Sequence, residues 1–213
     1  MKIWKFWKAL GRAKWLALLL PLTGGCSGVK NFEWTEDVKL MDGRQIVVKR
    51  MTEFRARMSA GDGFKRGWLF DHASISADLP APVSRKVEWN GRGLSPFILD
   101  VMSDGRVYLV CSVQTGEGSN IWKVPQHEYF VSFRLEGEQW HRIALSDLPP
   151  EIKRANLLTM IDTVFIYPST WDPPSKHIDL KRKQDVEAQY AREPRQREIV
   201  IYPPPSNPPP PAK

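Results

Sequence analysis

Two Asp-Gly pairs constrain this chain more than any other feature. Asp42-Gly43 separates Asp37-Val38-Lys39-Leu40-Met41 from Arg44-Gln45-Ile46-Val47-Val48-Lys49-Arg50, and Asp104-Gly105 separates the runs 97–102 and 107–113. An Asp-Gly pair between β-rich runs predicts a hairpin, with a type I′ turn that needs positive φ at both central residues. A third hairpin is predicted from Tyr129–Leu135 and Gln139–Leu145 around Glu136-Gly137-Glu138. In it, Tyr129, Val131, Phe133 and Leu135 share one face, and Phe130, Ser132, Arg134 and Glu136 the other, as in a half-buried antiparallel strand. The hairpin over 97–113 is apolar on both faces, which predicts a place at the centre of the sheet. Further strands are expected at 68–75, 85–89 and 163–167, and an edge strand at 199–202. The two Asp-Gly-Arg turns are no internal repeat, because their flanks differ. At about 40 residues per blade the body has room for about three propeller blades, too few to close.

The remaining segments are read from composition. Residues 51–67 (MTEFRARMSAGDGFKRG) predict a long basic loop, with Arg55 and Arg57 among its charges and Gly61-Asp62-Gly63 for flexibility. A short helix is expected within 148–161 and a better one over 175–192, with Ser175 as N-cap and Pro194 as its stop. Seven of the last eleven residues, Pro203 to Lys213, are proline, so 203–213 predicts a disordered polyproline II tail. The expected fold is therefore mainly β: an antiparallel sheet built of hairpins, closed as a sandwich or an open barrel-like form, with a short C-terminal helix and a proline-rich tail.

Charge places the chain. The 213 residues carry 31 basic and 24 acidic side chains, a net charge of +7. Five of the basic residues lie in residues 1–25, which hold no acidic one, so the remainder carries 26 against 24. A nearly neutral body is no electrostatic footprint for nucleic acid, and none is expected as a partner. Residues 1–14 are basic, Trp15–Leu22 is apolar, and Thr23-Gly24-Gly25 is small, which together read as a secretory signal over 1–25. The apolar run is short and interrupted by Pro21, whereas a spanning helix needs about 20 residues.

Leu22-Thr23-Gly24-Gly25-Cys26 resembles the lipobox of bacterial lipoproteins. The resemblance implies that Cys26 is acylated, with palmitate among its chains, and becomes the mature N-terminus. Residues 26–35 then form a lipid-anchored tether ahead of a single mainly-β domain over 36–202. Ser27 implies sorting to the outer membrane, with the domain facing the periplasm. Cys111, inside the apolar run 107–111, is expected to be a small buried hydrophobe. The segment Glu36-Asp37-Val38-Lys39-Leu40-Met41-Asp42-Gly43-Arg44-Gln45-Ile46-Val47-Val48-Lys49-Arg50, with Glu198-Ile199-Val200-Ile201-Tyr202-Pro203, is similar to a group of secreted proteins and lipoproteins of Gram-negative bacteria that share an EVKLxDGRxIxVKR element. That group has no established activity, so the resemblance implies location and fold and nothing catalytic.

Chemistry is sparse. His72, His127, His141 and His177 lack metal-ligand spacing, and no cofactor or metal site is expected. Asp71-His72-Ala73-Ser74 holds the residue types of a hydrolase triad, but neighbours on a strand point to opposite faces. No G-x-S-x-G elbow or phosphate loop is present, and Gly116-Glu117-Gly118 reads as a bend. Trp122 and Trp171, in loop contexts, with Arg55 and Arg57, are the candidate binding residues. The alternative is that the tryptophans cap the β core. The expected function is an interaction or envelope-support module with an envelope-protein partner, and the alternative is a cell-envelope hydrolase with a loop-assembled site.

Overall fold

The computed structural model describes residues 28–58, 66–125, 128–158 and 177–190. Its strands are β1 (Val29–Lys39), β2 (Gln45–Met58), β3 (Arg66–Asp78), β4 (Lys86–Arg92), β5 (Leu94–Val101), β6 (Val107–Val113), β7 (Phe130–Glu136), β8 (Gln139–Ile143) and β9 (His177–Ile178). Two helices accompany them, α1 (Gly116–Trp122) and α2 (Leu180–Tyr190). The strands form a five-stranded sheet of order β4-β3-β2-β1-β9 and a four-stranded sheet of order β5-β6-β7-β8. Sequential neighbours pair antiparallel, and β9 joins β1 in parallel. The fold is mainly β, and of the two expected forms it takes the sandwich.

Period-two alternation explains the shared core. Val38 of β1, Val48 of β2, Ile75 of β3 and Trp89 of β4 meet Leu99, Leu109, Val131 and Phe133 of the second sheet in one buried cluster. Cys111 lies fully buried in it, and burial pushes its thiol well up from the ordinary value. The outer face of the second sheet is covered as well, where Phe97, Ile98, Tyr108 and Val110 pack under Ile152. A third cluster joins Trp34, Phe54 and Phe70 of the first sheet to Leu158 and Ile178.

The two Asp-Gly hairpins form, but with a different turn. Gly43 and Gly105 have φ of 88° and 86°, while neither Asp42 nor Asp104 has positive φ. Leu40 N–H donates to Arg44 O at 2.8 Å and Met102 N–H to Arg106 O at 2.9 Å, which closes three-residue loops instead of two-residue type I′ turns. The aspartates decide this, because each clamps the arginine after the glycine. Asp42 accepts Arg44 N–H at 3.0 Å and Arg44 Nε–H at 2.5 Å, and Asp104 accepts Arg106 N–H at 3.0 Å and Nε–H at 2.6 Å. The third hairpin has the two-residue loop Gly137-Glu138, with Gly137 at φ 58°.

Four expectations fail for identifiable reasons. Of the basic stretch 51–67, expected as a loop, residues 51–58 are the end of β2 and 66–67 the start of β3, while 59–65 lie outside the described residues. The charges of 51–58 alternate with inward Thr52 and Phe54, and composition hid that alternation. The hairpin over 97–113 is not central: β5 ends its sheet, yet all eight of its residues are buried. Asn156 covers its free edge, accepting Leu99 N–H at 3.0 Å and donating to Leu99 O at 2.8 Å. Residues 148–158 form no helix, and a 3₁₀ turn at Leu145–Asp147 stands before them. Leu157 and Leu158 enter different clusters, as successive side chains of an extended segment do. Residues 29–35, expected in the tether over 26–35, are the first half of β1.

Helix α2 starts later than expected. It starts at Leu180, where Asp179 accepts Arg182 N–H at 2.6 Å, and His177-Ile178 ahead of it are strand. Ser175, the strands expected at 163–167 and 199–202, the signal 1–25, Cys26 and the tail 203–213 lie outside the described residues.

Candidate functional site

The site begins with a β-bulge. The β2–β3 ladder passes from Glu53↔His72 to Phe54↔Phe70, leaving Asp71 as the extra residue. The buried Asp71 carboxylate takes Arg55 Nη2 at 3.0 Å on one oxygen and Arg92 Nε at 3.0 Å on the other. Arg92 also reaches Glu117 at 3.1 Å, and its carbonyl accepts the Trp122 indole N–H at 2.9 Å. Two of the expected binding residues, Arg55 and Trp122, are therefore linked through Asp71 and Arg92. Arg55 is also held by Glu53 at 3.4 Å.

Trp122 ends α1, which the bend at 116–118 opens. Thr115 Oγ1 caps that helix by accepting Gly118 N–H at 3.0 Å, and Lys123 closes it at φ 50°. The strand switches sheets at Gly93 (φ 70°), where a Cβ would stand 2.4 Å from Gly118 Cα, so both glycines are required for the backbones to touch. The Trp122 ring lies edge-on to Phe133, 5.4 Å between centroids, and packs against the main core. This is the geometry of a core cap. Arg57 stands opposite Gly67 in the ladder, and Trp171 lies outside the described residues.

Asp71, His72 and Ser74 do not assemble. Asp71 serves the two arginines, while His72 and Ser74 line a shallow groove of about 460 Å³ on the outer face of the first sheet, with Lys49 and Glu88. His127 lies outside the described residues, and His141 is exposed on β8. His177 makes contacts that no local spacing announces: its Nδ1 is 2.9 Å from Thr35 Oγ1 and its Nε2 is 3.4 Å from Asp37 Oδ1. Thr35 and Asp37 share one face of β1, and β9 brings His177 alongside. Neither the outer groove nor a second groove of about 590 Å³ beside Lys123, Phe130 and Arg142 is lined by these three residues. The trio clasps β9 to β1.

The strongest electrostatic feature is buried between β1, β2 and α2. Glu36 and Arg50 are fully buried and meet at 2.6 Å, and Lys183 Nζ reaches the other Glu36 oxygen at 2.7 Å. Glu36 also accepts Leu158 N–H at 2.9 Å, and Arg50 donates to Pro96 O at 3.1 Å across to β5. Three buried polar atoms nearby, Trp34 Nε1, Arg50 Nε and Thr52 Oγ1, have no hydrogen-bond partner among the described residues. The signal that could have found this cluster is an acid at an inward position of an alternating strand, between Trp34 and Val38.

Another buried acid, Asp100, accepts Met41 N–H at 3.1 Å and Val101 N–H at 2.8 Å, tying the first Asp-Gly hairpin to the second. Burial raises its carboxyl to about 6, against the pull of those two N–H groups. Among the described residues no group of three or more His, Cys, Asp or Glu is placed to hold a metal ion, and no helix is long and apolar enough to cross a membrane. No protein-family model matches the chain, and no curated protein or solved structure is significantly similar to it.

Proposed function

We propose that the protein is a lipid-anchored β domain of the bacterial envelope, held at the outer membrane and facing the periplasm, that serves as an interaction or envelope-support module for an envelope protein. The observation that carries the reading is the leader: a basic stretch, a short apolar run and small residues ahead of Cys26. A sandwich in which two candidate binding side chains, Arg55 and Trp122, are engaged in ion pairs and core packing is consistent with a scaffold. Several acyl chains on Cys26, at about 0.8 kcal/mol per buried CH₂, give a stable anchor. Replacing Cys26 with Ser releases the protein from membranes washed at high salt. A variant that still pellets there refutes the anchor.

One observation favours the second reading, an envelope hydrolase. In Thr35, His177 and Asp37, a hydroxyl, an imidazole and a carboxylate stand within reach of one another. If Thr35 is a nucleophile, a fluorophosphonate probe labels it and Thr35→Val abolishes the labelling. The clasp predicts no labelling.

A further inference from the structure

Acylation of Cys26, on which this inference rests, would fix where the membrane lies against the fold. Consecutive Cα atoms are about 3.8 Å apart, so Cys26 Cα lies within about 7.6 Å of Gly28 Cα by any path. Gly28 belongs to the sheet. Its carbonyl accepts Ala56 N–H at 2.8 Å, and a Cβ on it would stand 3.3 Å from the Trp68 ring. Acyl chains on Cys26 would therefore start within about 7.6 Å of Gly28, the residue beside Ala56 and Trp68. From the Val29↔Arg55 pair, β2 runs on to Met58, which pairs with Arg66, three more ladder steps or about 10 Å. This end of the first sheet thus reaches the headgroup layer.

The residues placed there suit that layer. Lys30 Nζ lies 4.4 Å from the Trp68 ring centroid, an aromatic and a cation side by side. Val29 (51 % exposed) and Leu69 (39 %) flank Arg55 in the ladder, aliphatic surface on either side of a half-exposed guanidinium. Arg57 and Arg66 occupy further ladder positions at the same end. We propose that this end of the first sheet is a lipid-contact surface that docks on anionic phospholipid headgroups. It stands the strands upright, with the Asp42-Gly43 turn at the far end of β1, about 33 Å along the strand from Val29.

The test uses the full chain carrying Cys26→Ser, so that acylation plays no part, with sedimentation on vesicles of phosphatidylcholine and phosphatidylglycerol. Lys30→Gln and Arg57→Gln each weaken binding about 5-fold at low salt, the effect of one cation at an anionic surface. Lys86→Gln, at the opposite end of the ladder beside Asp78, leaves it unchanged. The leader is common to all these proteins, so differences among them report the sheet end. Lys30→Gln and Arg57→Gln binding as tightly as the parent, or Lys86→Gln weakening as much as they do, overturns the surface. Failure of the anchor itself is read separately, from the mass of the mature N-terminus.

Discussion

Glu33 and Glu36 lie on opposite faces of β1, and each pairs with a cation of β2. Glu36 meets Arg50 at 2.6 Å with both side chains fully buried, whereas Glu33 meets Lys49 at 3.3 Å with both more than half exposed. Glu36→Gln removes the carboxylate that Arg50 and Lys183 share and leaves both cations buried with weaker acceptors. Breaking one partner of a buried pair costs about 3–5 kcal/mol, while an exposed pair is worth about 0–1 kcal/mol. For a domain of this size, Glu36→Gln should lower Tm by roughly 6–20 °C and Glu33→Gln by less than about 4 °C. Urea unfolding followed by tryptophan fluorescence gives both free energies on one scale. Equal losses in the two variants would refute the argument that burial, and not ion pairing as such, sets the worth of the cluster.

Three further outcomes follow from the packing. Folding raises the Asp100 carboxyl from its ordinary 3.8 to about 6, so between those values the folded state holds a proton that the unfolded chain has lost. Stability should therefore fall as pH rises from about 4 to about 6, by about 3 kcal/mol at most, and Asp100→Asn should flatten that window in a Tm-against-pH series. Thr52→Val removes a buried hydroxyl without a described partner and should raise stability by about 1 kcal/mol in urea titration, and a loss of that size would show that the hydroxyl is satisfied. Gly93→Ala sets a Cβ 2.4 Å from Gly118 Cα at φ 70°, so its soluble yield and Tm should drop sharply while Gly116→Ala, with open space around it, changes little.

The hairpins are legible in the sequence because turn chemistry and alternation are local. Asp42-Gly43 and Asp104-Gly105 mark their turns whatever lies far away, although the clamp onto Arg44 and Arg106 changes the turn type. The full length of β2 is hidden because its outer face carries Glu53 and Arg55, which composition reads as loop. The segment 148–158 misleads because its apolar residues serve three clusters at once: Ile152, Leu157 and Leu158 each fill a different one. The Glu36–Arg50–Lys183 cluster depends on α2 folding back on β1 from 147 positions away, and the Thr35–His177 contact spans 142, so neither has a local signature. Arg55 and Trp122 stand out in the sequence as binding residues. Their link through Asp71 and Arg92 is a product of the Asp71 bulge, which no periodicity reveals.

Intact-mass and N-terminal peptide analysis of the chain isolated from bacterial membranes tests the anchoring claim most directly. The mature chain is expected to begin at Cys26 and to carry diacylglyceryl and fatty-acyl mass on that residue. A soluble chain that retains Met1, or one that begins beyond Cys26 with no lipid, would contradict it.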